Sequence, residues 1–167
     1  MMPAYQSILK QCEQHAYRLQ WAKNALSDEF PLTMSSLSKL GDADQAILDQ
    51  LSLRFSKLQD AMGANLFPLV LEISKEQGEL KAFIDQLNRL EKINAIPSAE
   101  KWLILREMRN QFSHDYPNDP EIQAVLLNKA YVLIDDLLST LTHITLFANK
   151  YLTKSIDSAT NDLPPLV

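Results

Sequence analysis

The chain has 167 residues, a 46% apolar share and a net charge of −5, which suits one domain with a real core and excludes a broad nucleic-acid stripe, though not a local basic pocket. Three glycines cannot supply the turns of a sandwich or barrel, so an all-α fold is predicted. One cysteine, Cys12, permits no internal disulfide, and no run approaches the ~18 uninterrupted apolar residues of a membrane helix or forms a signal-peptide core, so the expected location is cytoplasmic, with no membrane.

Helical periodicity begins at once. Tyr5, Ile8, Cys12, Ala16 and Leu19 share a stripe that continues toward Leu26. Pro31, a serine cluster and Gly41 mark residues 27–41 as a loop holding at most a short helical turn. A second long helix starts near Asp42 or Ala43, with Ile47, Leu51, Phe55, Leu58 and Met62 inward, and Gly63 and Pro68 predict a break or kink. Residues 79–93 show Leu80, Phe83, Ile84, Leu87 and Leu90 on one amphipathic face. Ser98 can cap the next helix, which runs from about Ala99 to His114 or Tyr116, where Pro117 stops it. Asp119-Pro120-Glu121 is a restart signal.

The last helix is expected from about Pro120 to Leu152. Its nearly heptad seam is Ile122, Leu126, Ala130, Leu133, Leu137, Leu141, Ile144, Ala148 and Tyr151; Val125, Val132, Ile134, Leu138 and Phe147 widen the apolar face. Such a helix packs inside a bundle and also meets a partner subunit. The prediction is one all-α bundle of four to five helices over residues 1–154, with a flexible tail over residues 155–167.

Chemistry concentrates at the end of the motif-bearing helix. Arg109, Asn110, His114 and Tyr116 spell R-N-x-x-x-H-x-Y. The fork of an arginine can hold a phosphate, and an imidazole can carry a proton at neutral pH. A shuffled chain would carry roughly 0.09 R-x4-H matches, so the bare pattern is weak; the added Asn and Tyr lower that to roughly one or two in ten thousand. On an ideal helix Arg106, Asn110 and His114 lie along one face, and Arg109, Ser113 and Tyr116 along the next. Arg109 and His114 are then offset by about 140°, so convergence needs a distorted helix end, bent side chains or a second copy across a dimer axis.

These residues resemble the HEPN family (higher eukaryotes and prokaryotes nucleotide-binding), an all-helical, up-and-down bundle with R-x4-6-H at the end of a late helix. The pattern is most similar to HEPN toxins paired with minimal nucleotidyltransferase antitoxins, which carry R-x4-H-x-Y. The likeness in helix order spans roughly residues 43–152; the segment before residue 43 exceeds the smallest members. It implies a metal-independent endoribonuclease without cofactor, acting as a homodimer on RNA, with a cognate nucleotidyltransferase as partner. Arg109 would hold the scissile phosphate and His114 would be the acid or base. Asn110 would orient His114 or bind phosphate, with Arg106 and Ser113 positioning substrate beside them. Tyr116 would position RNA, and in related toxins this tyrosine is adenylylated by the partner.

Plainer readings stand beside each assignment. Arg109 could pair with Asp115 or Glu107, His114 could serve the helix dipole, Asn110 and Ser113 could be solvated, and Tyr116 could only pack. His15 and Cys12 are too few for a zinc site, and His143 reads as packing or surface. Trp21 and Trp102 read as bundle anchors. The chain has no paired Glu-x-x-His, Gly-rich phosphate loop or serine-nucleophile elbow. A non-catalytic HEPN module binding nucleotide or substrate for a nucleotidyltransferase, and a helical dimerisation scaffold, are the competing functions.

Overall fold

The computed structural model describes residues 1–76, 82–114 and 119–161. Among these there is no strand. The elements are α1 (Met2–Ala25), α2 (Met34–Ser38), α3 (Asp42–Ala61), a π turn (Met62–Leu66), α4 (Phe67–Ile73), α5 (Phe83–Lys92), α6 (Ala99–Phe112) and α7 (Pro120–Asn161). Leu80 of the expected α5 face, the stretch Asp115, Tyr116 and Pro117, and residues 162–167 of the expected tail lie outside the described residues.

At Gly63 and Pro68, where a break or kink is expected, the chain does not leave the helical region: a π turn joins α3 to α4. Backbone angles stay right-handed helical from Ala61 to Phe67, and Phe67 N–H donates to the Met62 carbonyl five residues back. Met62, Leu66, Phe67 and Val70 are all fully buried. Each such side chain contributes about 1.5–3 kcal/mol, so core packing outweighs the local cost of glycine and proline. A π turn also widens the helix at the glycine, which matters for the cavity described below.

α1 lies along α3, and α6 packs between α3 and α7, with α5 against α4 and α6. Tyr5, Cys12, Leu19 and Ala22 of α1 are buried as the stripe requires. Trp102 is 1% exposed and tilts against Phe67 at 4.4 Å between centroids, as an anchor should. Trp21 is 47% exposed and is not an anchor, because it sits about 200° around α1 from buried Leu19. Ile84 is likewise 43% exposed, while Leu87 and Leu90 are fully buried.

α7 extends beyond Leu152, so residues 155–161 of the expected tail are helical. Its buried seam is Ala124, Leu127, Ala130, Ile134, Leu137, Leu141, Ile144 and Ala148. Ile122 and Tyr151, assigned to that seam from the sequence, are exposed. α7 carries apolar residues on two stripes, and periodicity alone could not choose between them. By length and composition α7 could cross a membrane, yet this inner seam is taken up by the bundle. Val125, Val132 and Leu146 form the other, exposed stripe, at spacings of one and two heptads.

Local chemistry fixes the connections. Asn128 holds the α1–α2 loop by accepting from Leu32 N–H at 2.7 Å and donating to its carbonyl at 2.8 Å. His143 donates from Nε2 to the carbonyl of Asn94 at 2.9 Å, which sets its proton on that nitrogen. Asn94 has φ of 64°, the left-handed conformation that turns the chain just after α5.

Cys12 is fully buried, and burial followed by the nearby Glu13 charge pushes its thiol up to about 12. The native protein should therefore resist a thiol reagent at pH 7.5, with one thiol reacting only after denaturation. Rapid labelling of the folded chain would contradict this packing. His15 faces α3, where Arg54 Nη1 approaches its Nδ1 at 2.9 Å. Arginine can only donate, so Nδ1 accepts and the ring is neutral. Burial, then the Arg54 and Lys57 charges, lowers its pKa from the ordinary 6.5. The unfolded chain thus takes up this proton first: the contribution is intact above pH ~6.5 and is lost as pH falls toward the folded value. The melting temperature should drop between pH 7.5 and 5.5, and His15→Gln should blunt the drop; an unchanged pH profile would assign it elsewhere.

Candidate functional site

α6 carries the motif because both of its ends are fixed. At its start, Glu91 accepts from Ala99 N–H and the Ser98 hydroxyl accepts from Lys101 N–H at 3.1 Å, the cap expected from the sequence. Trp102, Leu105 and Met108 bury its inner face. At its end, Phe112 packs edge-on to buried Phe55 at 5.6 Å and 79°. The following restart signal also forms, since Asp119 accepts from Ile122 N–H at 3.2 Å.

The helix stops at Phe112, short of the expected His114 or Tyr116. Ser113 and His114 donate their N–H groups three residues back, to Asn110 and Gln111, at 3.1 and 3.3 Å. The Ser113 hydroxyl also bonds the Asn110 carbonyl at 2.7 Å. This local bonding competes with α-helical continuation and tightens the last turn. His114 therefore stands beyond the α-helix, and the 140° offset of an ideal helix no longer governs its placement relative to Arg109.

Arg109 is half-buried and bound side-on to Asp60 of α3. Its Nε donates to one carboxylate oxygen at 2.7 Å and its Nη2 to the other at 2.9 Å. Its partner among the described residues is thus an acid 49 residues away, not the Glu107 considered from the sequence; Asp115, the other acid considered, lies outside the described residues. The hydrogen bond to Asp60 raises the guanidinium pKa above its already high ordinary value. The pair uses two of the five N–H groups of arginine, leaving an edge able to meet another anion. With side-chain exposures of 30% and 44%, it adds at most about 1 kcal/mol to stability.

The other candidates divide. Arg106 is exposed, its guanidinium carbon 4.6 Å from the Phe83 ring centroid. Asn110, Ser113 and His114 are exposed at the helix end, and the Ser113 hydroxyl serves the backbone there. Tyr116 lies outside the described residues. Among the described residues no three or more His, Cys, Asp or Glu side chains are grouped to hold a metal.

Asp60 against Arg109, Phe83 against Arg106, and Gln59 and Gly63 in the same lining as Arg106 were not singled out as site residues from the sequence. One signal existed. Gln59 follows Phe55 by four positions, so an amide occupies the buried stripe of α3, where it is 4% exposed. No local pattern marks Asp60, because its partner comes from tertiary packing. Comparison with family models, with curated proteins and with solved structures finds no match for this chain.

Proposed function

We propose that the protein is a metal-independent endoribonuclease of the HEPN kind, a cytoplasmic toxin whose partner is a nucleotidyltransferase. The observation that carries this reading is the R-N-x-x-x-H-x-Y pattern, with Asn110 and His114 exposed at the end of α6 and the Arg109 guanidinium held in place by Asp60. The all-helical bundle and long last helix are compatible with that family.

In the proposed reaction the ribose 2′-oxygen attacks the neighbouring phosphorus. The O2′–P bond forms, the P–O5′ bond breaks, the 2′ proton leaves to a base and the 5′ oxygen gains one from an acid. The products are a 2′,3′-cyclic phosphate and a 5′-hydroxyl. Arg109 stabilises charge growing on the phosphorane oxygens, and Asp60 is a positioning residue that holds the guanidinium plane. His114 supplies one proton transfer, while Asn110, Arg106, Ser113 and Tyr116 position substrate. The single motif histidine of each chain serves one role at a time, so a second copy would bring the other. The exposed Val125, Val132 and Leu146 stripe supports a homodimer as the source of that copy. Tyr116 is the site where the nucleotidyltransferase would attach adenylate.

The test is cleavage of labelled RNA in EDTA by the wild type, Arg109→Lys and Asp60→Asn. Arg109→Lys loses the planar fork and should be about 10²–10³-fold slower. Asp60→Asn leaves the fork in place but less firmly held and should be about tenfold slower. Undiminished cleavage by Arg109→Lys would remove that residue from the mechanism.

The Arg109–Asp60 pair also favours a second reading, a non-catalytic module that binds nucleotide or substrate for a nucleotidyltransferase. A guanidinium already paired within the bundle is what a structural ion pair requires. That reading demands no RNA cleavage by wild-type protein carrying an unmodified Tyr116.

A further inference from the structure

Beside the Arg109–Asp60 pair lies an open cavity of about 220 Å³, lined by Gln59, Asp60, Gly63, Ala64, Phe83 and Arg106. Gly63 of the π turn adds no side chain to this lining. A Cβ built there would lie 3.4 Å from Trp102 Cζ2 and 3.9 Å from both Phe83 Cζ and Gln59 Nε2. A methyl group at this position would take up part of the space, in ordinary contact with an indole, a phenyl ring and an amide. On one wall Arg106 stacks over Phe83, 4.6 Å from guanidinium carbon to ring centroid.

The wall chemistry selects a ligand class. Phe83 and the Arg106 plane offer stacking faces, which any flat heteroaromatic ring can use. The amide of Gln59 offers both donors and an acceptor along a ring edge. Asp60 offers only acceptor oxygens, which repel an anion and favour an amino group. Asp60 also touches Arg109, so a ring in the cavity would be joined through one carboxylate to the residue assigned to phosphate.

We propose that this cavity is a nucleobase subsite, taking a base with an exocyclic amine (adenine, cytosine or guanine) in preference to uracil. Resting on the ribonuclease reading, it receives the base adjoining the phosphate on Arg109. Arg106, exposed and long, swings outward to lie on the second face of the bound base, so that the base sits between it and Phe83.

The test is equilibrium binding of the four nucleoside 3′-monophosphates and of ribose 5-phosphate to the full chain. The wild type should bind at least one amino-bearing nucleotide about tenfold or more tighter than both uridine 3′-monophosphate and ribose 5-phosphate. Phe83→Leu keeps apolar bulk while removing the stacking face, and should erase that preference while leaving ribose 5-phosphate binding unchanged. Gly63→Ala narrows the cavity from its floor and should weaken nucleotide binding without affecting ribose 5-phosphate. Base-independent binding by the wild type, no nucleotide binding at all, or a preference untouched by both substitutions would overturn the subsite. If RNA is cleaved but binding ignores the base, only the subsite falls. If base-dependent, Phe83-sensitive binding occurs without cleavage, the subsite stands and the ribonuclease reading falls.

Discussion

Replacing His114 with alanine is expected to lower RNA cleavage by about 10²–10⁴-fold while changing folding stability by no more than about 0.5 kcal/mol. The side chain is exposed and stands two residues past the end of α6. Its backbone N–H closes the tight turn on Gln111 whatever side chain is present. Substitutions at exposed positions usually change folding little, whereas a ribonuclease would lose a proton-transfer group. A role limited to the helix dipole gives the opposite pattern: up to about 1 kcal/mol of lost stability and cleavage unaffected. Thermal unfolding and cleavage rates of one preparation separate the two.

Replacing Phe55 with alanine should have the largest effect on the fold, about 3–5 kcal/mol. Phe55 is fully buried in α3 and receives the edge of Phe112, the last helical residue of α6. Its removal leaves a cavity under the turn that presents His114. Against a whole-domain stability of about 5–15 kcal/mol, this is a large fraction. The melting temperature should fall by between ~6 and ~20 °C at this chain length. The urea midpoint should fall with an unchanged slope. Phe55→Leu, which refills most of the space, should recover the greater part of the loss. A drop below about 1 kcal/mol for the alanine variant would mean that α6 is not seated on this ring.

The contrast between those two residues reflects what a sequence can disclose. Caps were legible, because Ser98 and Asp119 act on amides only three residues away. The inner stripe of α3 was legible too, since Leu51, Phe55 and Leu58 repeat at helical spacing and are fully buried. The end of α6 was misplaced because Ser113 bonds its own neighbourhood, a competition that periodicity does not register. At Gly63 and Pro68 local propensity pointed to a break or kink; the chain stays helical there through a π turn, with Met62, Leu66 and Phe67 buried. Within the site, Arg109 and His114 stood out by residue type and spacing. Asp60 did not, because the carboxylate that fixes Arg109 lies 49 residues away and is brought there by the packing of α3 on α6. The cavity was hidden for the same reason: its walls come from α3, the π turn, α5 and α6.

The most direct measurement is the chemistry of the RNA ends produced in EDTA by wild-type protein whose mass shows Tyr116 unmodified, alongside His114→Ala prepared identically. The ribonuclease reading requires 2′,3′-cyclic phosphate and 5′-hydroxyl ends from the wild type, formed at least about 10²-fold more slowly by His114→Ala. Equal cleavage by both proteins, or none by the unmodified wild type, would contradict it.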